Sequence, residues 1–403
     1  MKKAYLFTNA QLVLEDSVKT GWLSVRDGKI WQIGFGECQG DFNGEVIDAK
    51  NNYLSPGFID LHVHGGNGCD FMDADPQGFE KIARYHSSNG VTSLLATTLA
   101  GETSETERVL QTYCETKDKI KCCNFLGVHL EGPYFSHKYK GAQDPRYIKN
   151  PDKDEVEKFL SYGVVKRWSM APELDGATEL GESLAKAGIV ASVAHTDADY
   201  NTVKTAVEKG FSLMTHLYSG MSQASIRDGK RVGGAVEAGL LLEDVMVELI
   251  ADGYHLGEEV LNLILKCKGA EKIILTSDAM RGAGLPENSV TKLGSLTNGQ
   301  EVRVYGGVAH TMDGTAFAGS VASGNRLIKT MLNATKLALW AVVNMVTKNP
   351  AELIGVGHKK GLLKEGFDAD LVLFEPGNLG VCGQSFRAWH ITDQQLPDSV
   401  LLL

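Results

Sequence analysis

Phe58-Ile-Asp-Leu-His-Val-His64 is a short apolar run closed by a pair of histidines, and it has seven counterparts further along the chain. They are Thr92–Thr98, Asn124–Glu131, Lys166–Ala171, Ile189–His195, Phe211–His216, Val245–Ala251 and Lys272–Asp278. Stretches of helical periodicity lie between them, including Phe79–His86, Asp154–Leu160, Leu180–Ala187, Asn201–Lys209 and Glu258–Lys268. Strand-length apolar runs alternating with amphipathic helices imply parallel βαβ units. Eight units over about 220 residues predict an α/β fold, a closed (β/α)8 barrel of the TIM type. An open doubly wound sheet is the competing architecture. It usually announces a Gly-rich phosphate turn, and no G-x-G-x-x-G follows the early strands.

Outward from this core the pattern changes. Ala4–Thr8, Trp22–Arg26 and Lys29–Ile33 read as strands, the last two joined by Asp27-Gly28. An Asp-Gly pair between apolar stretches signals a hairpin, because that turn needs positive φ. Asp370–Phe374, after the turn-like Glu365-Gly366, matches them in style, so both ends are β-rich and the middle is not. The Gly-rich segment Gly282–Gly324, with its Asn298-Gly299 turn, predicts a small hairpin excursion. Leu327–Val346 predicts helix interrupted near Asn333-Ala-Thr335.

The chain has 403 residues, 43% hydrophobic and 22% charged. That composition is soluble and globular, and the length suits two or three domains or one large barrel with an addition. Forty basic against fifty acidic residues give a net charge of −10. No basic surplus exists to neutralise a phosphate backbone, which argues against nucleic acid as a partner. No apolar run reaches the roughly 18 residues of a membrane span, and Asn9, Gln11, Glu15 and Asp16 interrupt what would be a signal peptide. The seven cysteines are odd in number and form no C-x-x-C pair. Free thiols in a reducing cytoplasm are the expectation.

Active sites of parallel barrels lie at the C-terminal strand ends, and here those ends carry the chemistry. Run one ends His62-Val-His64, run three His129-Leu-Glu131, run five at His195, run six at His216 and run eight at Asp278. Residues i and i+2 of a strand point to one side, so His62 and His64 can share a cation; alone, such a pair also reads as two hydrogen-bonded surface histidines. Glu131 has two oxygens with which to bridge two cations, or it is a salt-bridged rim acid. His129 reads more simply as a core histidine than as a partner of the site. His195, His216 and Glu131 form a set of two histidines and a carboxylate that suits a divalent ion with an open position for water. Asp278 is placed to accept a proton from metal-bound water; its structural alternative is a helix N-cap. Arg227, in a polar loop after run six, suits phosphate through its planar fork, and His255 follows run seven on the same rim.

These residues spell a resemblance. Pro56–Gly65, Gly127–Pro133, Val193–His195, Thr215–Tyr218, Ile250–His255, Thr276–Ala279, Ala318–Ser320 and Ala369–Val372 resemble, in order and across nearly the whole chain, the amidohydrolase superfamily. Within it they are similar to the branch of deacetylases acting on N-acetylglucosamine 6-phosphate. The resemblance implies a catalytic barrel over residues 56–359 and a small β-sandwich built from 1–55 plus 360–403. It implies Glu131, His195 and His216 around one divalent metal, with His62 and His64 present to hold a second. Asp278 becomes general base and acid and lies against the metal. Zinc is the first choice of metal, with iron, manganese and cobalt as alternatives. Substrate contacts are implied at Ala142, Gln143, Ser219, Gly220, Arg227, His255, Phe317, Ala318 and Gly319. The arginine would come from a neighbouring subunit, hence a homodimer. This chain has Ser219-Gly220, Arg227-Asp-Gly-Lys230 and Gln143 where the branch commonly has Asn-Ala, Arg-Glu-Pro-Gly and a histidine. Those departures flank the sugar and phosphate positions and leave the galactosamine epimer, or another N-acyl amino sugar, as the alternative substrate. Cyclic-amide hydrolases of the superfamily commonly use a carboxylated lysine where Glu131 stands. A metal-free scaffold barrel would be expected to lose ligands, which this chain retains.

Overall fold

The computed structural model describes residues 4–38, 40–377 and 379–382; the side chain of Arg227 and the part of the 360–403 span beyond residue 382 lie outside the described residues. The eight apolar runs form eight parallel strands: Phe58–Val63, Val91–Thr97, Asn124–Glu131, Val165–Met170, Val190–Val193, Phe211–Met214, Met246–Ile250 and Ile273–Thr276. They pair in chain order from first to eighth. The ring is drawn together where Asp278 N donates to His62 O at 3.0 Å and His64 N to Ala279 O at 2.9 Å.

Local chemistry sets the helices between the strands. Pro76 opens the first, where its missing N–H costs nothing, and the Asp75 side chain accepts from Gln77 N and Gly78 N. Asp152 and Asp199 cap two later helices in the same way. Phe79, Phe159 and Trp168 are fully buried between helices and barrel; each such side chain contributes about 1.5–3 kcal/mol through burial.

The two chain ends meet in one six-stranded sheet. Leu371–Phe374 runs antiparallel to Tyr53–Pro56, which pairs in parallel with Tyr5–Val13; Val18–Arg26 and Lys29–Phe35 follow by hairpins, and Glu45–Asp48 pairs with Tyr5–Val13. Asp27 and Gly28 both take positive φ, 51° and 77°, as the expected hairpin turn demands. This sheet has its own core of Tyr5, Phe7, Leu12, Leu23, Leu54 and Leu371. A charged cluster joins it to the base of the barrel: Lys360 bridges Asp368 and Asp370, and Asn124 Nδ2 donates to Asp370 at 3.1 Å.

After the eighth strand the chain makes a three-stranded antiparallel sheet, Val290–Leu293, Gln300–Tyr305 and Val308–Thr311. The expected hairpin is thus one strand larger, with Asn298-Gly299 in its first turn. The helix over Leu327–Val346 is interrupted as expected, between Gly324–Ala334 and Leu339–Asn344. Among the described residues, no helix is long and apolar enough to cross a membrane, and all seven cysteines are free.

Candidate active site

Three side chains come from strand backbone or the residue that directly follows it. His62 lies on the first strand and His64 directly after its end, with their Nε2 atoms 3.1 Å apart. Glu131 ends the third strand. Its Oε1 lies 3.4 Å from His62 Nε2, and its Oε2 lies 3.4 Å from His64 Nε2. Three more come from one position, two residues beyond the last residue of their strands. His195, His216 and Asp278 all have left-handed backbone, with φ of 45°, 30° and 47°. Non-glycine residues rarely adopt it, and here it turns each side chain in over the barrel mouth. His216 Nε2 lies 3.1 Å, and His195 Nε2 3.4 Å, from Glu131 Oε1. Asp278 Oδ1 lies 3.1 Å from His64 Nε2 and 3.4 Å from His62 Nε2.

Two overlapping triads can each hold a metal ion: His62, His64 and Glu131, and Glu131, His195 and His216, all buried. The spacing supports that use. Ligand atoms about 2.0–2.1 Å from a tetrahedral cation stand ~3.3 Å from one another, and the separations here run from 3.1 to 3.4 Å. The second ring nitrogens support it too. His62 Nδ1 faces Glu248 Oε1 at 3.1 Å and His195 Nδ1 faces Tyr139 O at 2.9 Å. With those nitrogens protonated, each Nε2 presents a lone pair to the cluster.

Crowding sets the charges of the metal-free cluster. Burial pulls His62 and His64 down, but Glu131 and Asp278 outweigh it and raise them to about 9 and about 10. Burial pushes Glu131 up, yet His62, His195 and His216 hold it well below the usual carboxylate range. Asp278 is lowered in the same way, with His62 and His64 overcoming burial. Burial keeps His216 below its ordinary value.

The cluster floors a cleft of about 220 Å³, smaller than the roughly 300–1,000 Å³ of drug-sized pockets and suited to a small polar molecule. Ala142, Gln143, Ser219, Gly220, His255, Phe317 and Gly319 line it with the candidate metal ligands. Gly220 is required where it stands: its φ is 61°, and a Cβ there would lie 2.5 Å from His195 Nδ1 and 2.8 Å from Tyr139 O. His255 Nδ1 faces Asp252 Oδ2 at 2.8 Å, which fixes its ring at the rim. One expected contact, Ala318, is not brought into the cleft. Ala318 is fully buried with its amide bonded to Ala309 O. Arg227 ends a short strand, Ser225–Arg227, paired with Lys230–Val232. Gln143 lines the cleft with its side chain already engaged: Nε2 donates to Glu131 Oε2 at 2.7 Å, and Oε1 accepts from Ala100 N at 3.0 Å. His129 is a core histidine, bonded through Nε2 to Ser169 Oγ at 2.7 Å.

Three residues that the sequence did not single out support the site. Asp60 accepts from Thr276 Oγ1 at 2.6 Å, His62 N at 3.2 Å and Ser277 N at 3.2 Å, tying the first strand to the eighth just before Asp278. Glu248 and Arg167 form an ion pair inside the barrel, both fully buried. A charge within an otherwise apolar run was the available signal for Asp60 and Glu248, whereas Arg167 directly follows Lys166.

A parallel barrel with two histidine–carboxylate triads and an aspartate at its mouth defines a metal-dependent hydrolase. The chain belongs to the amidohydrolase family, whose model matches residues 53–397. It is 34% identical to N-acetylglucosamine-6-phosphate deacetylase of Bacillus subtilis (strain 168), over 93% of each chain. It is 31% identical to N-acetylgalactosamine-6-phosphate deacetylase of Escherichia coli O157:H7, over 82% of this chain and 86% of the relative. Among solved structures it is similar to a mutant N-acetyl-D-glucosamine-6-phosphate deacetylase from Mycobacterium smegmatis in complex with N-acetyl-D-glucosamine-6-phosphate. The TM-score is 0.87 at 27% identity, covering 96% of this chain and 99% of that one.

Proposed function

We propose that this enzyme hydrolyses the N-acetyl amide of N-acetylglucosamine 6-phosphate, giving glucosamine 6-phosphate and acetate in amino-sugar catabolism. The carrying observation is Asp278, whose carboxylate stands 3.1–3.4 Å from the His62 and His64 nitrogens above a glutamate shared by two metal-binding triads. His62, His64 and Glu131 would hold one divalent cation, and Glu131, His195 and His216 the other. Zinc suits these nitrogen and carboxylate donors, as do iron, manganese and cobalt. Bound there, a divalent cation supplies positive charge for the developing oxyanion and lowers the pKa of attacking water.

The chain's own groups do the rest. Asp278 is ionised and accepts the water proton as oxygen attacks the acetyl carbon. It returns that proton to the leaving nitrogen as the C–N bond breaks. Gln143 holds Glu131 in place from the wall of the cleft. Ala142, Ser219, Gly220, His255, Phe317 and Gly319 orient the sugar. Arg227, delivered by a second copy of the chain, would receive the phosphate, so the working unit is a homodimer. Residues 56–359 form the catalytic unit, with 1–55 and 360–403 as the small domain, and the enzyme works in the cytoplasm.

Acetate release from N-acetylglucosamine 6-phosphate, its galactosamine epimer and the unphosphorylated sugar tests the reading. A kcat/KM at least about 100-fold higher for the glucosamine phosphate is expected, about 2.7 kcal/mol of discrimination. Preference for the galactosamine phosphate would favour the second reading, which the similarity to an N-acetylgalactosamine-6-phosphate deacetylase and the Ser219, Gly220 and Gln143 departures support.

A further inference from the structure

The interior of a (β/α)8 barrel is ordinarily packed with branched apolar side chains. In this barrel it holds a complete ion pair directly beneath one half of the metal cluster. Arg167, on the fourth strand, has all five of its N–H donors engaged. Nη1 meets Leu61 O at 3.2 Å and Glu248 Oε2, Nη2 meets Thr215 Oγ1 at 3.0 Å and Glu248 Oε1 at 3.0 Å, and Nε meets Ser192 Oγ at 3.3 Å. The Glu248 carboxylate is therefore fixed bidentately, and it faces the site through Oε1. That oxygen lies 3.1 Å from His62 Nδ1 and 3.4 Å from the backbone N of His216. The remaining nitrogen of His62, Nε2, is the one among Glu131, His64 and Asp278.

A buried ion pair of this kind is seldom more stabilising than apolar residues of the same volume, so packing alone does not account for it. Its geometry does one specific thing. A carboxylate can only accept, so the neutral ring of His62 carries its proton on Nδ1 and keeps Nε2 for a cation. Neither His64 nor His216 has an equivalent: their Nδ1 atoms have no hydrogen-bond partner. His195 is fixed independently, by Tyr139 O.

We propose that Glu248, clamped by Arg167, is a positioning residue that makes the His62–His64 half of the cluster a filled metal position. The proposal rests on the metal reading of the site and adds the claim that occupancy of this half is controlled from inside the barrel, by a pair that touches neither metal nor substrate. In Glu248→Gln the amide can turn its NH2 towards His62, which would place the imidazole proton on Nε2 and close that ligand.

The test is equilibrium dialysis of the metal-free full chain against Zn2+ at buffered free concentrations, with metal per chain counted and His62→Asn used to identify which binding step belongs to His62. Wild type should bind two Zn2+. Glu248→Gln should weaken the His62 step by about 10- to 100-fold and move the Glu131–His195–His216 step by less than about threefold. The double variant Arg167→Met/Glu248→Leu removes the charges together, so it should fold with a Tm near wild type and still show the same selective loss. Unchanged zinc binding in both variants would overturn the proposal, as would equal weakening of both steps, the mark of a merely structural pair. Wild type that binds a single Zn2+ would also overturn it. Wild type that binds none would overturn it together with the metal reading, so the two failures are distinguishable.

Discussion

The two halves of the cluster are built by different means. His62 and Glu131 ride on extended strand and His64 directly follows one, so simple alternation delivers them to the barrel mouth. His195, His216 and Asp278 sit just past their strands in left-handed backbone, at a cost of roughly 1–2 kcal/mol per residue. Neighbouring amides hold that geometry: Ser136 N donates to His195 O, Ser219 N to His216 O and Ser320 N to Asp278 O. The first half is thus cheap in backbone and backed by a buried ion pair, while the second is strained in backbone and stitched by loop amides. Strain of this kind collects at functional sites because the surroundings over-determine the conformation.

The largest effect should come from the group the halves share. Glu131→Gln removes a ligand from both triads, so it should abolish binding of both metals and all measurable acetate release. By contrast, His62→Asn should abolish one binding step and spare the other. Metal analysis of the two proteins checks this; a Glu131→Gln protein retaining two metals would merge the halves into something other than two sites.

The next effect separates the halves by pH. Ligands must be deprotonated to bind a cation. His62 and His64 are raised to about 9 and about 10 in the metal-free protein, whereas His216 is lowered and already neutral near pH 7. Affinity at the His62–His64 half should therefore fall about ten- to a hundredfold per pH unit below about 9, and level off above about 10. The other half should vary far less. Zinc titration at several pH values, with proton release followed by calorimetry in buffers of different ionisation enthalpy, reads both. Equal slopes for the two steps would erase the distinction.

The smallest effect is a reversal of sign in stability. At His62, in a strand, glycine should be less stable than alanine by about 0.5–1 kcal/mol. At His195 and His216 glycine should be the more stable, by about 1–2 kcal/mol, because only alanine bears the left-handed penalty. Urea unfolding of the metal-free variants measures it. Alanine as stable as glycine at His195 and His216 would show that the backbone strain is absent.

The same contrast explains what the amino-acid sequence disclosed. All eight barrel strands begin within one residue of the apolar runs, because strands buried on both faces read as continuous apolar segments and a polar residue that ends one stands out. His62, His64 and Glu131 could be placed from strand alternation as well. The left-handed turns that bring in His195, His216 and Asp278 are not written in any non-glycine residue, so their convergence rested on rim position and on resemblance. Glu248 and Arg167 stayed hidden because Glu248 interrupts its apolar run singly and Arg167, 81 residues away, follows Lys166, and nothing local says that they meet. Gln143 was expected to touch substrate; that it also grips Glu131 depends on how residues 132–147 fold back over the third strand, a tertiary matter.

In the proposed reaction Asp278 moves the proton in amide hydrolysis above this cluster. The most direct test of this role is acetate release from N-acetylglucosamine 6-phosphate by wild type and Asp278→Asn, both at saturating Zn2+ with metal content verified. The Asn protein should bind metal and fold like wild type, with kcat lower by about 100- to 10,000-fold. A fully metal-loaded Asp278→Asn protein within about threefold of wild type would contradict that role.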